Sequence, residues 1–297
     1  MALVHYEEAP CKAALNRVEG MSFRWSLNPY QGCVHGCHYC YARRYHGFRE
    51  LGAGEDFSSI VFVRTGIAQV LRQELRRPSW KREQVALGTA TDPYQPIEGR
   101  YRLTRACLEA LADHGTPVGI VTKGTLIVRD LDVLQRLTAA AGCSVVFSIT
   151  TLGLDLWRKL EPGTPPPHQR LKALERLSAA GIRAGVMLAP VLPGLTDSPS
   201  NLESVVRAAA DHGAMFLGTQ VVYLRSGTRE HFLGFLQSEF PELLEEYRRL
   251  FPGPYAPKRF QYQVELTVDG LKQRHAIAER EEVPEPPRPF QQLALGL

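Results

Sequence analysis

One arrangement of hydrophobic and polar positions recurs four times along the chain. An amphipathic segment ends at a glycine, and a short apolar run rich in β-forming residues follows it. Apolar residues spaced by three and four predict helices, and continuous apolar runs predict buried strands. The four pairs are TRACLEALADHG with TPVGIVT, LDVLQRLTAAAG with CSVVFSIT, LKALERLSAAG with IRAGVML, and LESVVRAAADHG with AMFLGTQVV.

The ends of these helices also carry local signals. Ser198 followed by Pro199 is typical of an N-cap and a first helical position. Glycine adopts a positive φ without strain, so a glycine after each helix predicts a C-cap. These glycines are Gly115, Gly142, Gly181 and Gly213. Cys107 falls on the apolar stripe of the first of these helices, which predicts a core position.

Two earlier units fit the same scheme less clearly. SFRWSL and QVALGTAT predict a first and a second strand, joined by a helix around Ile67–Arg76. Six strand–helix units in series predict a parallel sheet with right-handed crossovers and helices outside it. An open doubly wound sheet stays possible, but no G-x-G-x-x-G follows the first strand. We therefore predict an α/β fold, a partial (β/α)6-type barrel.

The predicted organisation has three parts: an N-terminal extension over residues 1–20, the β/α core over 21–225, and a helical C-terminal extension over 226–297. The extension ends in a proline-rich stretch from Glu281. No apolar run approaches the ~20 residues that a membrane span needs. The first residues, MALVHYEEAP, lack the layout of a secretory signal, so we expect a cytoplasmic protein whose thiols stay reduced.

Composition adds little beyond ordinary globular usage, with 44% hydrophobic and 22% charged residues among 297. Lys and Arg together number 35 and Asp and Glu 31, a mild excess that permits an acidic partner without requiring one.

The predicted strands end in polar residues. In barrels of this type the active site lies at the carboxyl ends of the strands, so these residues are candidates for chemistry. They are Thr89, Thr91 and Asp92; Thr122 and Lys123; Ser148, Thr150 and Thr151; and Gln220 and Tyr223.

The stretch NPYQGCVHGCHYCYAR follows the predicted first strand and belongs to the same rim. It places Cys33, Cys37 and Cys40 within eight positions. A 4Fe–4S cubane held by three thiolates leaves one iron open to a small molecule. Gly32 and Gly36 would let the loop wrap closely around such a cluster.

Zinc is the alternative occupant, with a fourth ligand from His35, His38 or His46. The rim location and the open position favour the cluster. The other cysteines, Cys11, Cys107 and Cys143, have no partners at metal-ligand spacing and are interpreted as ordinary thiols.

The cysteine spacing, with an aromatic residue before the last cysteine, resembles the signature loop of the radical S-adenosylmethionine (radical SAM) enzymes. The whole loop, with GTATDPYQPIE and EPGTPPPHQRL, is similar to the group related to spore photoproduct lyase, over roughly residues 20 to 230. The resemblance implies a 4Fe–4S cluster whose open iron binds S-adenosylmethionine. One electron from a reductant such as a flavodoxin or ferredoxin then yields methionine and a 5′-deoxyadenosyl radical, which abstracts hydrogen from a substrate.

The resemblance also implies roles for residues at matching positions. Tyr39 and Tyr41 would pack against the cofactor, and the segment Thr89 to Thr91 would bind the methionine amino group. Lys123 would lie near the carboxylate, Ser148 near the ribose or carboxylate, and Ala189 near the adenine. Threonine and serine at strand ends also satisfy loop amides, and Lys123 could be an ordinary surface lysine, so structural roles stay open.

A polar loop beside this site carries candidate catalytic residues, which either face the substrate or serve the structure. These are Asp92, Tyr94 and Glu98, together with Gln95. Glu161 could bind a ribose hydroxyl, or its proline-rich surroundings could only shape a turn.

Nucleic acid is a candidate partner because LRRPSWKRE interleaves basic residues with Trp80. A solvated helix end is the alternative interpretation of this stretch, and a non-catalytic zinc or iron–sulfur module that contacts nucleic acid is the alternative for the protein.

One absence separates this chain from the DNA-repairing members of the resembled group. Those members carry a cysteine near the end of the second strand that returns a hydrogen atom, and Val85–Tyr94 contains none. Cys107 and Cys143 are predicted elsewhere, and Tyr94 could act as donor. We therefore expect cofactor cleavage without efficient repair of the thymine lesion.

Overall fold

The computed structural model describes residues 4–277, so the proline-rich stretch predicted from Glu281 lies outside the described residues. Ten strands form within this range. They are β1 (His5–Pro10), β2 (Leu15–Arg17), β3 (Trp25–Leu27), β4 (Tyr30–Gln31), β5 (Ile60–Thr65), β6 (Val85–Leu87), β7 (Val118–Thr122), β8 (Cys143–Ser148), β9 (Arg183–Val191) and β10 (Leu217–Val221).

Eleven α-helices lie within the same residues. They are α1 (Asp56–Ser59), α2 (Ile67–Leu75), α3 (Glu98–Tyr101), α4 (Leu103–Asp113), α5 (Leu131–Ala140), α6 (Leu154–Leu160), α7 (Pro167–Ala179), α8 (Pro199–Asp211), α9 (Thr228–Glu239), α10 (Leu244–Leu250) and α11 (Lys258–Arg274). Short 3₁₀ segments cover Tyr41–Arg49, Thr125–Asp130 and Pro241–Leu243.

The main sheet has the order β10-β9-β8-β7-β6-β3-β2. The six strands from β3 to β10 in this sheet are parallel, and only β2 runs antiparallel, against β3. From β6 to β10, strands that are neighbours in the sheet are consecutive in the chain and are joined by helical connections, whereas the connection from β3 to β6 also carries β4 and β5. The predicted α/β fold with six parallel strand–helix units is therefore confirmed.

The predicted helix ends are also confirmed. All four C-cap glycines adopt positive φ, with Gly142 at 103°. The hydroxyl of Ser198 accepts a hydrogen bond from the Asn201 amide at the start of α8. Cys107 is fully buried on α4, as its position on the apolar stripe predicts. These features depend on neighbours within a few residues, which is why the sequence alone predicts them.

A second, smaller sheet was not anticipated. It has the order β1-β5-β4, with β1 parallel to β5 and β4 antiparallel to β5. The β1 sequence, HYEEAP, is mostly exposed and lacks the continuous apolar run of the core strands. This segment is a strand because it pairs with β5, about fifty residues later in the chain, and not because of its own composition. The predicted three-part organisation stays a prediction.

The core lies between the main sheet and the helices. Helix α11 packs on β10 and α8, so helices of the C-terminal segment cover the β10 edge. No helix among residues 4–277 has both the length and the apolar composition that a membrane crossing requires.

Candidate functional site at the strand exits

The three clustered cysteines lie in the loop between β4 and the 3₁₀ segment Tyr41–Arg49. Cys33 and Cys37 are buried and Cys40 is half-buried, and all six cysteines of the chain are free thiols. Short turns bring them together, with the Gly36 amide donating to the Cys33 carbonyl and the Cys40 amide to the Cys37 carbonyl, each over 3.2 Å. We call residues 33–40 the cysteine loop.

The electrostatics of the cysteine loop fit a cationic occupant. Burial, reinforced by the charges of Asp92 and the neighbouring thiols, raises the pKa of Cys33 well above its usual range. Burial likewise raises the pKa of Cys37 to about 12, although Lys123 opposes the shift. Without a cation these thiols stay protonated at neutral pH, whereas a bound iron–sulfur cluster would stabilise all three as thiolates.

Arg43 supports the loop from inside. Its buried guanidinium donates from Nε to the Cys37 carbonyl at 2.9 Å and from Nη2 to the Gly36 carbonyl at 2.6 Å. Nη1 donates to the carbonyl of Gly54 at 2.7 Å, which ties the loop to the segment before α1. A permanent positive charge is thus held beside three potential thiolates.

Two glycines are required for the close packing of this loop. Gly32 has a φ of 83°, and a Cβ there would overlap the carbonyl oxygen of Ile60. A Cβ on Gly163 would overlap the carbonyl oxygen of Val34, because the turn after α6 lies directly against the cysteine loop. The Gly163 amide also donates to the His35 carbonyl at 3.0 Å.

Each histidine offered as a zinc ligand has a different partner. His35 Nδ1 lies 3.3 Å from an Asp92 carboxylate oxygen, and His46 Nε2 lies 3.1 Å from the Ile60 carbonyl oxygen. His38 Nδ1 lies 3.1 Å from His231 Nε2. These contacts favour a site built from the three thiols alone.

Three residues predicted from different strands meet next to the loop. Lys123, just after β7, donates from Nζ to Ser148 Oγ at the end of β8 over 3.0 Å. Ser148 Oγ in turn donates to the Ala189 carbonyl of β9 at 2.7 Å. The Lys123 ammonium also lies 5.5 Å from the centre of the Tyr39 ring, on the cysteine loop.

The charge of Lys123 is preserved despite its burial. Burial lowers the pKa of this lysine, but Cys37, once it is a thiolate, and the Glu161 carboxylate outweigh that effect, and the net shift is upward. A half-buried ammonium beside a three-cysteine loop is a ready partner for an anionic group of a ligand.

The exit of β6 is tied to the cysteine loop by hydrogen bonds. Thr91 Oγ1 donates to the Gly32 carbonyl at 2.6 Å, and the Gln95 amide nitrogen donates to Thr91 Oγ1 at 3.0 Å. Tyr41 donates from its hydroxyl to the Thr89 carbonyl at 2.5 Å. The Thr91 side chain is thus buried and engaged, so this segment would meet a ligand mainly through its backbone.

Asp92, a candidate catalytic residue, organises the rim instead. Its carboxylate accepts from Thr122 Oγ1 at 2.6 Å, from the Lys123 amide at 2.7 Å and from the Tyr94 amide at 2.9 Å. Burial alone would raise its pKa, but His35 and these hydrogen bonds hold the pKa well below its usual range. Asp92 is therefore ionised and fully engaged, which favours the structural alternative.

The other two candidate catalytic residues also lie within the protein. The Tyr94 hydroxyl contacts Asp130 at 3.2 Å, and Glu98 accepts from the Tyr30 hydroxyl at 2.5 Å and from Arg129 at 3.0 Å. Tyr94 is 2% exposed and Glu98 is fully buried. These contacts favour the structural alternative for both residues. The sequence pattern showed their location on the rim loop but not the direction of their side chains.

The sequence analysis did not identify Arg170, which forms a buried ion pair with Glu161. Arg170 also donates to the Ser148 carbonyl at 2.9 Å, and Glu161 accepts from the Tyr39 hydroxyl. The ion pair thus supports Ser148, the partner of Lys123, and Tyr39 of the cysteine loop. Because Glu161 is engaged in these contacts, its interpretation as a ribose ligand is not favoured. Arg170 lies on the core side of α7, and a charged residue in that face of a predicted helix was the available signal.

The basic stretch around Trp80 lies away from this site. Trp80 donates from its indole nitrogen to Thr116 Oγ1 at 3.1 Å and packs edge-on against Trp25, with ring centres 5.5 Å apart. It precedes β6, at the opposite end of the sheet from the strand exits. The Trp80 ring is half-buried and engaged in these contacts, which favours the solvated helix end.

Comparison with known proteins bears directly on this arrangement. A sequence model described as the Radical SAM superfamily matches residues 27–207. The chain belongs to the radical SAM superfamily. Membership makes it an enzyme and excludes the alternative of a non-catalytic module. It also implies a 4Fe–4S cluster and S-adenosylmethionine, for which the cysteine loop and its surroundings provide a suitable donor set.

Among relatives by sequence, an uncharacterized protein of Mycobacterium tuberculosis is 42% identical over 279 residues, covering 93% of this chain and 82% of that protein. A protein of Pseudomonas phage M6, named radical SAM Nalpha-GlyT isomerase, is 27% identical over 170 residues, covering 56% of this chain and 33% of the phage protein. Neither likeness identifies a substrate for this chain.

Among solved structures, spore photoproduct lyase with bound AdoMet and dinucleoside spore photoproduct matches with a TM-score of 0.69. The match covers 92% of this chain and 80% of that one, at 16% sequence identity. At this identity the likeness establishes the fold, which is shared with spore photoproduct lyase.

Proposed function

We propose that this radical SAM enzyme binds one 4Fe–4S cluster through Cys33, Cys37 and Cys40 and binds S-adenosylmethionine at the strand exits beside it. When bound together, cluster and cofactor supply a 5′-deoxyadenosyl radical that abstracts hydrogen from a substrate. The observation that carries this proposal is the position of Lys123, which contacts both Tyr39 of the cysteine loop and Ser148.

The chain's own residues have defined tasks in this proposal. Lys123 would pair with the cofactor carboxylate, a contact strengthened by its burial. Ser148 accepts a hydrogen bond from Lys123, and the Ala189 carbonyl orients Ser148 by accepting from its hydroxyl. Arg43 would offset part of the negative charge of the loaded loop. The buried surroundings would keep water from the reactive centre.

Binding of the cluster and the cofactor does not identify the substrate. The structure favours an activity other than thymine-lesion repair. The β6 exit has no cysteine, and Cys107 is buried within α4. Cys143 starts β8 and so lies at the end of the sheet opposite the strand exits. Tyr94, the remaining candidate hydrogen donor, points to Asp130. We propose a modifying enzyme that takes its electron from a flavodoxin or ferredoxin, with nucleic acid among the substrates to test.

The experiment that tests this proposal begins with anaerobic purification and measurement of iron and acid-labile sulfide. The protein is then reduced with S-adenosylmethionine present, and 5′-deoxyadenosine and methionine are measured. We expect about four irons and four sulfides per chain and cofactor cleavage that depends on reduction. One zinc per chain without sulfide, or an iron–sulfur protein that leaves the cofactor intact, would overturn the proposal.

A further inference from the structure

Helix α9 lies outside the residues that match the superfamily model, yet it contacts the cysteine loop. Thr228 Oγ1, at its first position, donates to the Cys40 carbonyl over 3.1 Å. One turn later, His231 Nε2 lies 3.1 Å from Nδ1 of His38, which sits between Cys37 and Tyr39. The helix thus satisfies polar groups of the loop.

Aromatic packing extends this contact along the helix. The Phe235 ring stacks on the His38 ring with centres 4.1 Å apart and planes inclined by 16°. The His231 ring is also nearly parallel to the His38 ring, with an angle of 5° between the planes and 5.2 Å between the centres. Thr228, His231 and Phe235 are spaced by three and four residues, so they share one helix face. That face covers His38 from two sides.

We propose that α9 is a positioning element of the cluster site, which holds the outer side of the cysteine loop and thereby retains the cluster. This inference rests on the proposed function, since it assigns the three cysteines to a cluster. The residues of α9 act through Cys40 and His38.

The physical reason is that cluster loss requires the loop to open. Local opening has its own free energy, which depends on the buried contacts and hydrogen bonds that the segment loses. Thr228 donates to the backbone carbonyl of Cys40, and Phe235 stacks on His38, which follows Cys37 in the chain. Weakening these contacts raises the open population without removing a ligand.

The test compares iron release from the cluster-loaded protein to an anaerobic chelator. Thr228→Val removes the hydroxyl with little change in shape, and Thr228→Ser restores a donor. Loss of one hydrogen bond predicts roughly tenfold faster iron release for Thr228→Val and for His231→Ala, with near-normal release for Thr228→Ser. Gln237→Ala is the matched control, because Gln237 is an exposed residue on another face of the same helix.

Two further readouts separate positioning from general destabilisation. The electron paramagnetic resonance signal of the reduced cluster should change in His231→Ala and stay unchanged in Gln237→Ala. Amide hydrogen exchange over the cysteine loop should accelerate in Thr228→Val even in cluster-free protein. Unchanged release and exchange in folded Thr228→Val and His231→Ala proteins would overturn the inference. Absence of iron and sulfide in the wild-type protein would overturn the proposed function, and loop exchange would still report on the contact of α9.

Discussion

The ammonium nitrogen of Lys123 lies 3.0 Å from Ser148 Oγ and 5.5 Å from the centre of the Tyr39 ring. A lysine from β7 is thereby placed between a hydroxyl from β8 and the cysteine loop. Glu161, and Cys37 once it is a thiolate, raise the pKa of this lysine against the effect of burial. A half-buried lysine at the meeting point of three elements is the feature on which ligand binding would depend most directly.

Lys123→Ala should weaken binding of S-adenosylmethionine while iron and sulfide content stay unchanged. A hydrogen bond to a charged group contributes about 1.5–3 kcal/mol, so we expect the dissociation constant to rise by about tenfold to 150-fold. Equilibrium dialysis with the cluster-loaded protein measures this. Lys159→Ala is the control, because Lys159 contacts Glu239 in an exposed pair and the ring of Phe240. Equal affinity in wild-type and Lys123→Ala proteins would remove Lys123 from the binding site.

Replacing Cys33, Cys37 or Cys40 with alanine should abolish stable cluster binding, because each removes a thiolate that no other cysteine in the loop can supply. Iron and sulfide assays after anaerobic reconstitution measure the loss. Cys11→Ala, which alters a cysteine outside the loop, should keep full loading. A single-alanine variant of the loop that retains four irons and four sulfides would contradict the assignment.

Glu161→Gln should destabilise the protein in a pH-dependent way. Burial opposes ionisation of Glu161, but Arg170 and Lys123 outweigh it and lower its pKa to about 2. A carboxylate with a lowered pKa contributes stability above its unfolded pKa, and this stability is lost as the pH falls toward the folded pKa. Breaking a buried ion pair costs about 3–5 kcal/mol at neutral pH, because Arg170 keeps an unpaired charge.

The difference in free energy of unfolding between wild type and Glu161→Gln should therefore be largest near pH 7 and shrink as the pH falls from about 4.5 toward 2. Urea denaturation at several pH values measures it. Glu245→Gln is the control, since Glu245 is an exposed partner of Arg248. A constant difference across this range would show that the charge of Glu161 is not what stabilises the fold.

Gly163→Ala should disturb the cysteine loop through a steric overlap. The new methyl group would meet the Val34 carbonyl oxygen, and backbone on both sides limits relief. We expect lower cluster loading and a loss of about 1–3 kcal/mol in the free energy of unfolding, as for other overpacked sites. The control is Gly270→Ala, which places a methyl group in open space on α11 and should slightly raise the free energy of unfolding. Normal loading in Gly163→Ala would show that the loop has room to adapt.

Reduced protein incubated with lesion-bearing DNA should form 5′-deoxyadenosine without stoichiometric restoration of thymine. The reason is that the cysteine of the DNA-repairing members is absent from Val85–Tyr94, and Tyr94 is directed to Asp130. Counting thymines restored per 5′-deoxyadenosine formed measures the outcome. Repeated repair would contradict the prediction, and Tyr94→Phe would then show whether the buried phenol takes part.

The parts of the site that the sequence predicted are those set by local chain geometry. The spacing of Cys33, Cys37 and Cys40 puts three thiols in one loop whatever packs around it. Lys123 and Ser148 follow consecutive apolar runs, and consecutive parallel strands end at the same edge. Their meeting therefore follows from strand order, which the helix–strand repeat already indicates.

The side-chain directions of Tyr94, Glu98 and Trp80 could not be predicted in the same way. Tyr94 and Trp80 lie in irregular segments, and Glu98 begins the four-residue helix α3, so no sustained period relates position to direction. Tyr94 points to Asp130 and Trp80 to Trp25, residues 36 and 55 positions away in the chain. In the sequence, a polar or aromatic residue near a site looks the same whether its side chain faces a ligand or the core.

By itself, the sequence determined the six-strand α/β architecture, the helix caps and the three-cysteine loop, because periodicity, glycine conformation and ligand spacing act over a few residues. Only the tertiary structure decided the small sheet of β1, β5 and β4, the Glu161–Arg170 pair and the contact of α9 with His38 and Cys40. These depend on residues far apart in the chain, and their partners are selected by mutual burial and charge once the core has formed.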